Sequence, residues 1–260
     1  MPFTFSHPAI VLPFCKTPFK WVSFNGLVIG SMVPDFEFLL RLRETDTFGH
    51  TWQGIFFFDI PFAILLAFLF HIVIRNTLIL HLPKFIRIRL SIYLSFKWND
   101  YFNKNKIPFI AAVIVGIMLH IFLDAFTHYD GAIAVMYPFF SREIRIMGQM
   151  FPVYFILQIA LSAFGAIYTL WFILKLKRCE LDVKQKKVYR FWLALITVTI
   201  FIFIFRLWAD TFNQSNIDFI IALTGSFLYA LVIVCSFYFK KYSILKLQNN
   251  PGKKIPFIKM

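Results

Sequence analysis

Five stretches of the chain are apolar for long enough to cross a lipid bilayer, and polar residues collect in the segments between them. The stretches are Ile55–Ile74, Ile107–His128, Phe151–Leu174, Phe191–Ala209 and Ile217–Phe239. About 20 apolar residues in a helix match the hydrocarbon thickness. Backbone groups in lipid must bond within their own segment, which predicts helices, and the strand alternation of a barrel is missing. The pattern predicts an all-α integral membrane protein, a bundle of five or six transmembrane helices in a single domain over residues 1–240. A basic tail follows at 241–260.

The N-terminal segment leaves two readings open. Trp21–Val33 is short and contains Gly26 and Gly30. It either crosses once, making six spans, or dips in and returns, making five; Pro34 stops the helix in both cases. Pro83–Phe96 is amphipathic and predicts a surface-lying stretch on the inner side.

Charge then gives the topology. Net charge is +14, with 27 basic and 13 acidic residues. The basic residues sit at 75–106, at 175–190 and in the tail, whereas 129–150 holds only Arg142 and Arg145, and 210–216 holds none. The positive-inside rule places the basic segments and the C-terminus in the cytoplasm, in a bacterial inner membrane. Nucleic-acid motifs are missing, so the basic balance points to membrane lipids as partners, and no protein partner is indicated. Only 15% of residues are charged, against roughly 25% in soluble domains. Cys15, Cys179 and Cys235 are scattered and predict no disulfide framework. The N-terminus does not read as a cleaved signal peptide.

Candidate chemistry concentrates at the outer end of the second span. His120, Asp124 and His128 recur every four residues, which puts them on one helix face. His120 would lie about 12 Å below the helix end at 1.5 Å per residue. Ionisable groups at such depth face the bundle interior and are functional candidates. Imidazole and carboxylate together suit zinc first, with manganese or iron as alternatives. Asp35, His50 and Asp59 fall on the same predicted side, and His7 joins them if the N-terminal segment re-enters. Two readings stay open: a divalent-metal centre, or a polar network that joins helices. His71 and His81 read as surface groups, Arg206 and Asp210 as an ion pair, and Glu37, Glu44 and Asp46 as solvated loop charges. The chain has no phosphate-binding glycine loop and no Gly-x-Ser-x-Gly elbow.

The residues also carry a resemblance. The opening Met-Pro-Phe-Thr-Phe-Ser-His7-Pro-Ala is followed by Gly30-Ser-Met-Val-Pro34-Asp35-Phe-Glu-Phe. His50-Thr-Trp-Gln-Gly54, Phe58-Asp59-Ile-Pro61 and His120 to His128 come next. In that order they resemble the bacterial membrane family called domain of unknown function 4184, over roughly residues 1–240. The order is distantly similar to membrane-bound metal-dependent hydrolases and to zinc-dependent phospholipase C. That second likeness implies metal ligands at Asp35, His50, His120, Asp124 and His128, with His7 as the N-terminal partner. The further His-x-x-x-Glu pair of the phospholipase pattern is missing, because no His follows His128. The expectation is therefore a one- or two-metal hydrolase acting on a phospholipid or other phosphoester, with Asp59 as general base. A structural or scaffolding protein and a transporter are the alternatives.

Overall fold

The computed structural model describes residues 4–16, 22–43, 48–179, 188–209 and 216–242. Glu44, Asp46, Asp210 and the tail at 243–260 lie outside these residues. The elements are α1 (Phe24–Gly30), α2 (Phe36–Arg41), α3 (Trp52–His81), α4 (Lys84–Leu90), α5 (Trp98–Lys104) and α6 (Lys106–Thr127). After them come α7 (Ala132–Met136), α8 (Pro138–Ser141), a hairpin of β1 (Glu143–Ile146) and β2 (Gln149–Pro152), then α9 (Val153–Lys175), α10 (Val188–Ala209) and α11 (Asn216–Tyr242).

Five helices are long and apolar enough to cross a membrane, and they contain the five apolar stretches of the sequence apart from one or two terminal residues. The chain is a multi-pass helical membrane protein. The described N-terminal residues add no further helix of spanning length. Thr4–Ile10 and Leu12–Lys16 form 3-10 turns, and α1 runs for seven residues before Ser31 ends it.

Three glycines seat α1 against α6. A Cβ on Gly26 would meet the Phe109 carbonyl at 2.5 Å, one on Gly30 would strike the Val113 backbone, and one on Gly116 would meet the Leu27 carbonyl at 2.5 Å. Lipid tails are as apolar as leucine, so close backbone approach through small residues drives such packing. The glycines that make Trp21–Val33 look interrupted are its docking face. Val33, Ala63, Ala67, Val113 and Ile117 fill the core among α1, α3 and α6. A second core joins Ile74 to Phe191, Leu195 and Val234 of α10 and α11.

Helix α3 continues past Ile74 to His81 and contains two π-helical stretches, Ile55–Asp59 and Leu69–Ile74. Pro61 has no N–H to offer the preceding turn, which is consistent with the wider first stretch. The inner end of α3 corrects two sequence expectations. His71 and His81 are buried at 5% and 1% exposure. His71 stacks on Trp98 with ring centres 4.4 Å apart, and Arg75 reaches both its Nδ1 at 3.1 Å and the Phe96 carbonyl at 2.8 Å. His81 stacks on Phe191, and its own carbonyl accepts from Trp192 Nε1 at 2.8 Å. Hydropathy alone gives no account of these contacts, because the partners come from distant helices.

The Pro83–Phe96 stretch is tied to the end of α9. Arg89 Nε donates to the Leu174 carbonyl and Ser91 Oγ to the Cys179 carbonyl, at 2.8 and 2.9 Å. Arg206 contacts Asp218 of α11 at 3.5 Å and donates to the Leu42 carbonyl at 3.0 Å.

Candidate metal centre

The α1–α6 contact brings the Ser31 carbonyl to α6, where it accepts from His120 Nδ1 at 2.9 Å. Four residues later the chain has turned through a 3-10 helix at Val33–Asp35 and presents Asp35. Asp35 Oδ1 lies 3.4 Å from His120 Nε2, and Asp124 Oδ2, one turn along α6, lies 3.1 Å from the same nitrogen. His7 arrives from the N-terminal 3-10 turn. Ser6 anchors that turn by donating to the Ser162 carbonyl of α9 at 2.7 Å. The His7 ring stacks on His120 at 4.0 Å, and its Nε2 is 3.6 Å from Asp35 Oδ2.

His7, Asp35, His120 and Asp124 therefore converge, each with one ligand atom within 4.8 Å of the others, and all four are buried. Such a group could hold a metal ion. Three of the residues come from separate chain segments, which is how a site gains more ligands than one helix can give. Both ring nitrogens of His7, Asp35 Oδ2 and His120 Nε2 are buried without a well-directed hydrogen bond. Buried polar atoms without partners are expensive, so this concentration of them is a chemical signal.

The electrostatics outside the spans agree. Burial pushes the His7 imidazole well below its ordinary range, His120 adds to that effect, and Asp35 opposes it. Burial acts to raise the Asp35 carboxyl, but its interactions with His120, and after them with His7, outweigh burial and hold Asp35 below the usual carboxylate range. A lowered imidazole and a lowered carboxyl are the directions that favour the metal-binding form of each.

The other expected residues surround this group. His50 Nε2 is 3.7 Å from Asp124 Oδ2, and His128 Nδ1 is 3.6 Å from Asp124 Oδ1. Their side chains are 28% and 33% exposed, so they mark the open side of the centre. Asp59 is fully buried, and neither of its oxygens has a hydrogen-bond partner among the described residues. His50 and His120 are its main electrostatic neighbours, and a side chain on Gly49 would come within 2.9 Å of its Oδ1.

Two supporting residues were not singled out by sequence reasoning. Gln158 of α9 lies 3.1 Å from His128 Nε2 through its amide nitrogen. Glu37 is buried rather than solvated. One of its oxygens accepts the Phe48 and Gly49 N–H groups at 2.7 and 3.0 Å, and the other takes Arg41 at 2.8 Å. The carboxylate thereby folds the loop that carries His50. The i, i+4 spacing to Arg41 was visible in the sequence, but the two backbone donors were not.

A family model described as "Domain of unknown function (DUF4184)" matches residues 1–236. The chain belongs to the DUF4184 family. The match covers all of the residues that build this centre, so the DUF4184 region and the five-helix body coincide. No curated protein and no solved structure matches the chain.

Proposed function

We propose that this DUF4184 protein is a metal-dependent hydrolase of a phosphoester, with a membrane phospholipid as the first candidate substrate. The observation that supports this is the orientation of His120. A carbonyl can only accept, so Nδ1 carries the proton toward Ser31 and Nε2 faces the carboxylates of Asp35 and Asp124; in the neutral ring that nitrogen offers a lone pair. Two carboxylates and a lone pair repel unless a cation stands among them. The carbonyl-oriented imidazole is also the usual support for a metal ligand.

In this reading His7, Asp35, His120 and Asp124 hold one divalent ion, zinc first and manganese or iron next. His50 and His128 flank Asp124 on the open side, where they orient substrate or complete the coordination. A bound divalent ion supplies Lewis acidity, polarising a phosphoryl oxygen and acidifying water. Asp59, buried without a hydrogen-bond partner beside His50, acts as general base. The oxygen of the attacking water bonds to phosphorus while the ester P–O bond breaks. Asp59 takes one water proton, and the departing oxygen takes up a proton from solvent. In the same reading the C-terminus is cytoplasmic and the centre lies at the outer face of a bacterial inner membrane, near headgroup depth; the distribution of basic segments supports this orientation.

A doubly protonated His120 between the two carboxylates is the rival reading, and it makes the centre a structural network. Transport is less favoured. Ala63 and Ala67 lie in the core between Asp59 and His71, and α3 itself carries no polar side chain between those two residues. Metal content of detergent-purified protein separates the first two. Near-stoichiometric metal in the wild type, lost in folded His120→Ala and Asp124→Ala, supports the hydrolase and licenses a phospholipid screen. A metal-free wild type after reconstitution leaves the structural network.

A further inference from the structure

We propose that the β1–β2 hairpin, with α7 and α8 at its base, is an interfacial finger that seats in the membrane leaflet beside the centre, where Arg142 and Arg145 take anionic lipid headgroups. This rests on the membrane spans and the hairpin alone, and stands or falls independently of the metal reading.

The finger has no room to leave the bilayer surface. It starts where α6 ends, with the Gly131 N–H on the His128 carbonyl at 3.1 Å. It ends where β2 runs into α9 at Pro152 and Val153 without a spacer, and the Val153 N–H bonds the Arg142 carbonyl at 3.0 Å. Met147 and Gly148 take φ of 50° and 86°, two consecutive left-handed residues. That is the turn that closes a two-residue hairpin.

Exposed apolar side chains run along the finger from its base to its tip. Met147 at the tip is fully exposed, and Val135, Met136 and Phe139 are exposed at 66%, 68% and 62%. Phe57 and Phe201, on spanning helices, show 77% and 70%. The finger thus looks outward as a lipid-facing helix does. Leaving such side chains in water forgoes the free energy of their burial. A lone two-stranded hairpin is marginal in water, so it needs a cover. The outer edges of β1 and β2 carry unpaired backbone groups, which forbids hydrocarbon depth and limits insertion to the headgroup level. Arg142 and Arg145 are exposed there with Glu143 as the one acidic residue of the hairpin. Their long stems can lie along apolar surface while the guanidinium groups meet phosphate.

The test uses full-length protein in which Cys15, Cys179 and Cys235 are replaced by alanine and Met147→Cys carries a polarity-sensitive dye. Asn103→Cys, exposed in the basic 75–106 segment, is the water-facing control. The vesicles contain phosphatidylcholine with or without phosphatidylglycerol, at low protein-to-lipid ratio. Expected are blue-shifted emission and strong quenching by lipid spin-labelled at the headgroup, weaker quenching by lipid labelled at the acyl end, and neither at position 103. The shift should grow with phosphatidylglycerol, and Arg142→Gln with Arg145→Gln should abolish that growth. Water-like emission at 147 would overturn the proposal. So would a shift that vanishes on diluting protein in lipid, since it would assign the finger to a protein partner. A shift indifferent to phosphatidylglycerol would overturn the headgroup role.

Discussion

His120 Nδ1 lies 2.9 Å from the carbonyl oxygen of Ser31, and this one bond turns the opposite nitrogen toward Asp35 and Asp124. The arrangement ties the chemistry of α6 to the placement of a loop nearly ninety positions earlier in the chain.

In the proposed metal centre, metal and proton compete for His120 Nε2. Metal affinity should therefore fall as pH drops, and uptake should release protons. Titration calorimetry in buffers of different protonation enthalpy reads this directly. Binding that is equally tight in acid would place the metal elsewhere.

Gln158→Ala removes the α9 contact of His128 while leaving His128 in place. Outer partners of metal ligands typically contribute about 10–100-fold in affinity. A loss of that size, with thermal stability near wild type, is expected if His128 takes part in binding. An unchanged affinity would limit the ligand set to the four buried residues.

Gly30→Leu places a side chain into the backbone of Val113. Overpacking of this kind costs about 1–3 kcal/mol. Separation of α1 from α6 should also draw Ser31 and Asp35 off His120, so stability and metal content should fall together. Thermal unfolding in detergent and metal analysis of the same sample check both.

Glu37→Gln weakens three contacts at once, to Arg41 and to the Phe48 and Gly49 N–H groups. Charged hydrogen bonds contribute about 1.5–3 kcal/mol each, so faster proteolysis of the loop before α3 is expected. Metal bound by the buried four should persist, while any hydrolase activity drops as His50 loses its position.

Arg75→Ala is the contrasting case. It leaves the Phe96 carbonyl and His71 without their guanidinium partner at the other end of α3. A loss of about 1–3 kcal/mol is expected for the stranded buried groups. Metal content should stay at the wild-type level, and its loss would mean that the two ends of the bundle are coupled.

The sequence made the spans legible, because length and apolarity are one-dimensional properties. It also made His120, Asp124 and His128 legible, because an i, i+4 repeat on an apolar helix is read without knowing any neighbour. Topology put Asp35 on the right side, and His7 only if the N-terminal segment re-enters; the resemblance named both as ligands, since nothing local says that a 3-10 turn from each will reach α6. Gly26 and Gly30 read as flaws in a span when they are its contact surface. His71, His81 and Glu37 were misjudged for one shared reason. Whether a polar side chain is solvated depends on what packs over it, and their covers are Trp98, Phe191 and the 48–49 backbone.

The anchoring of Ser6 on Ser162 has a consequence for the order of assembly. His7 leaves the ribosome well before the third spanning helix, which carries the surface that anchors its turn. The turn gains that anchor only once this helix has entered the bilayer. The centre is therefore closed late, and a chain truncated before α9 would carry Asp35, His120 and Asp124 but no fixed fourth donor.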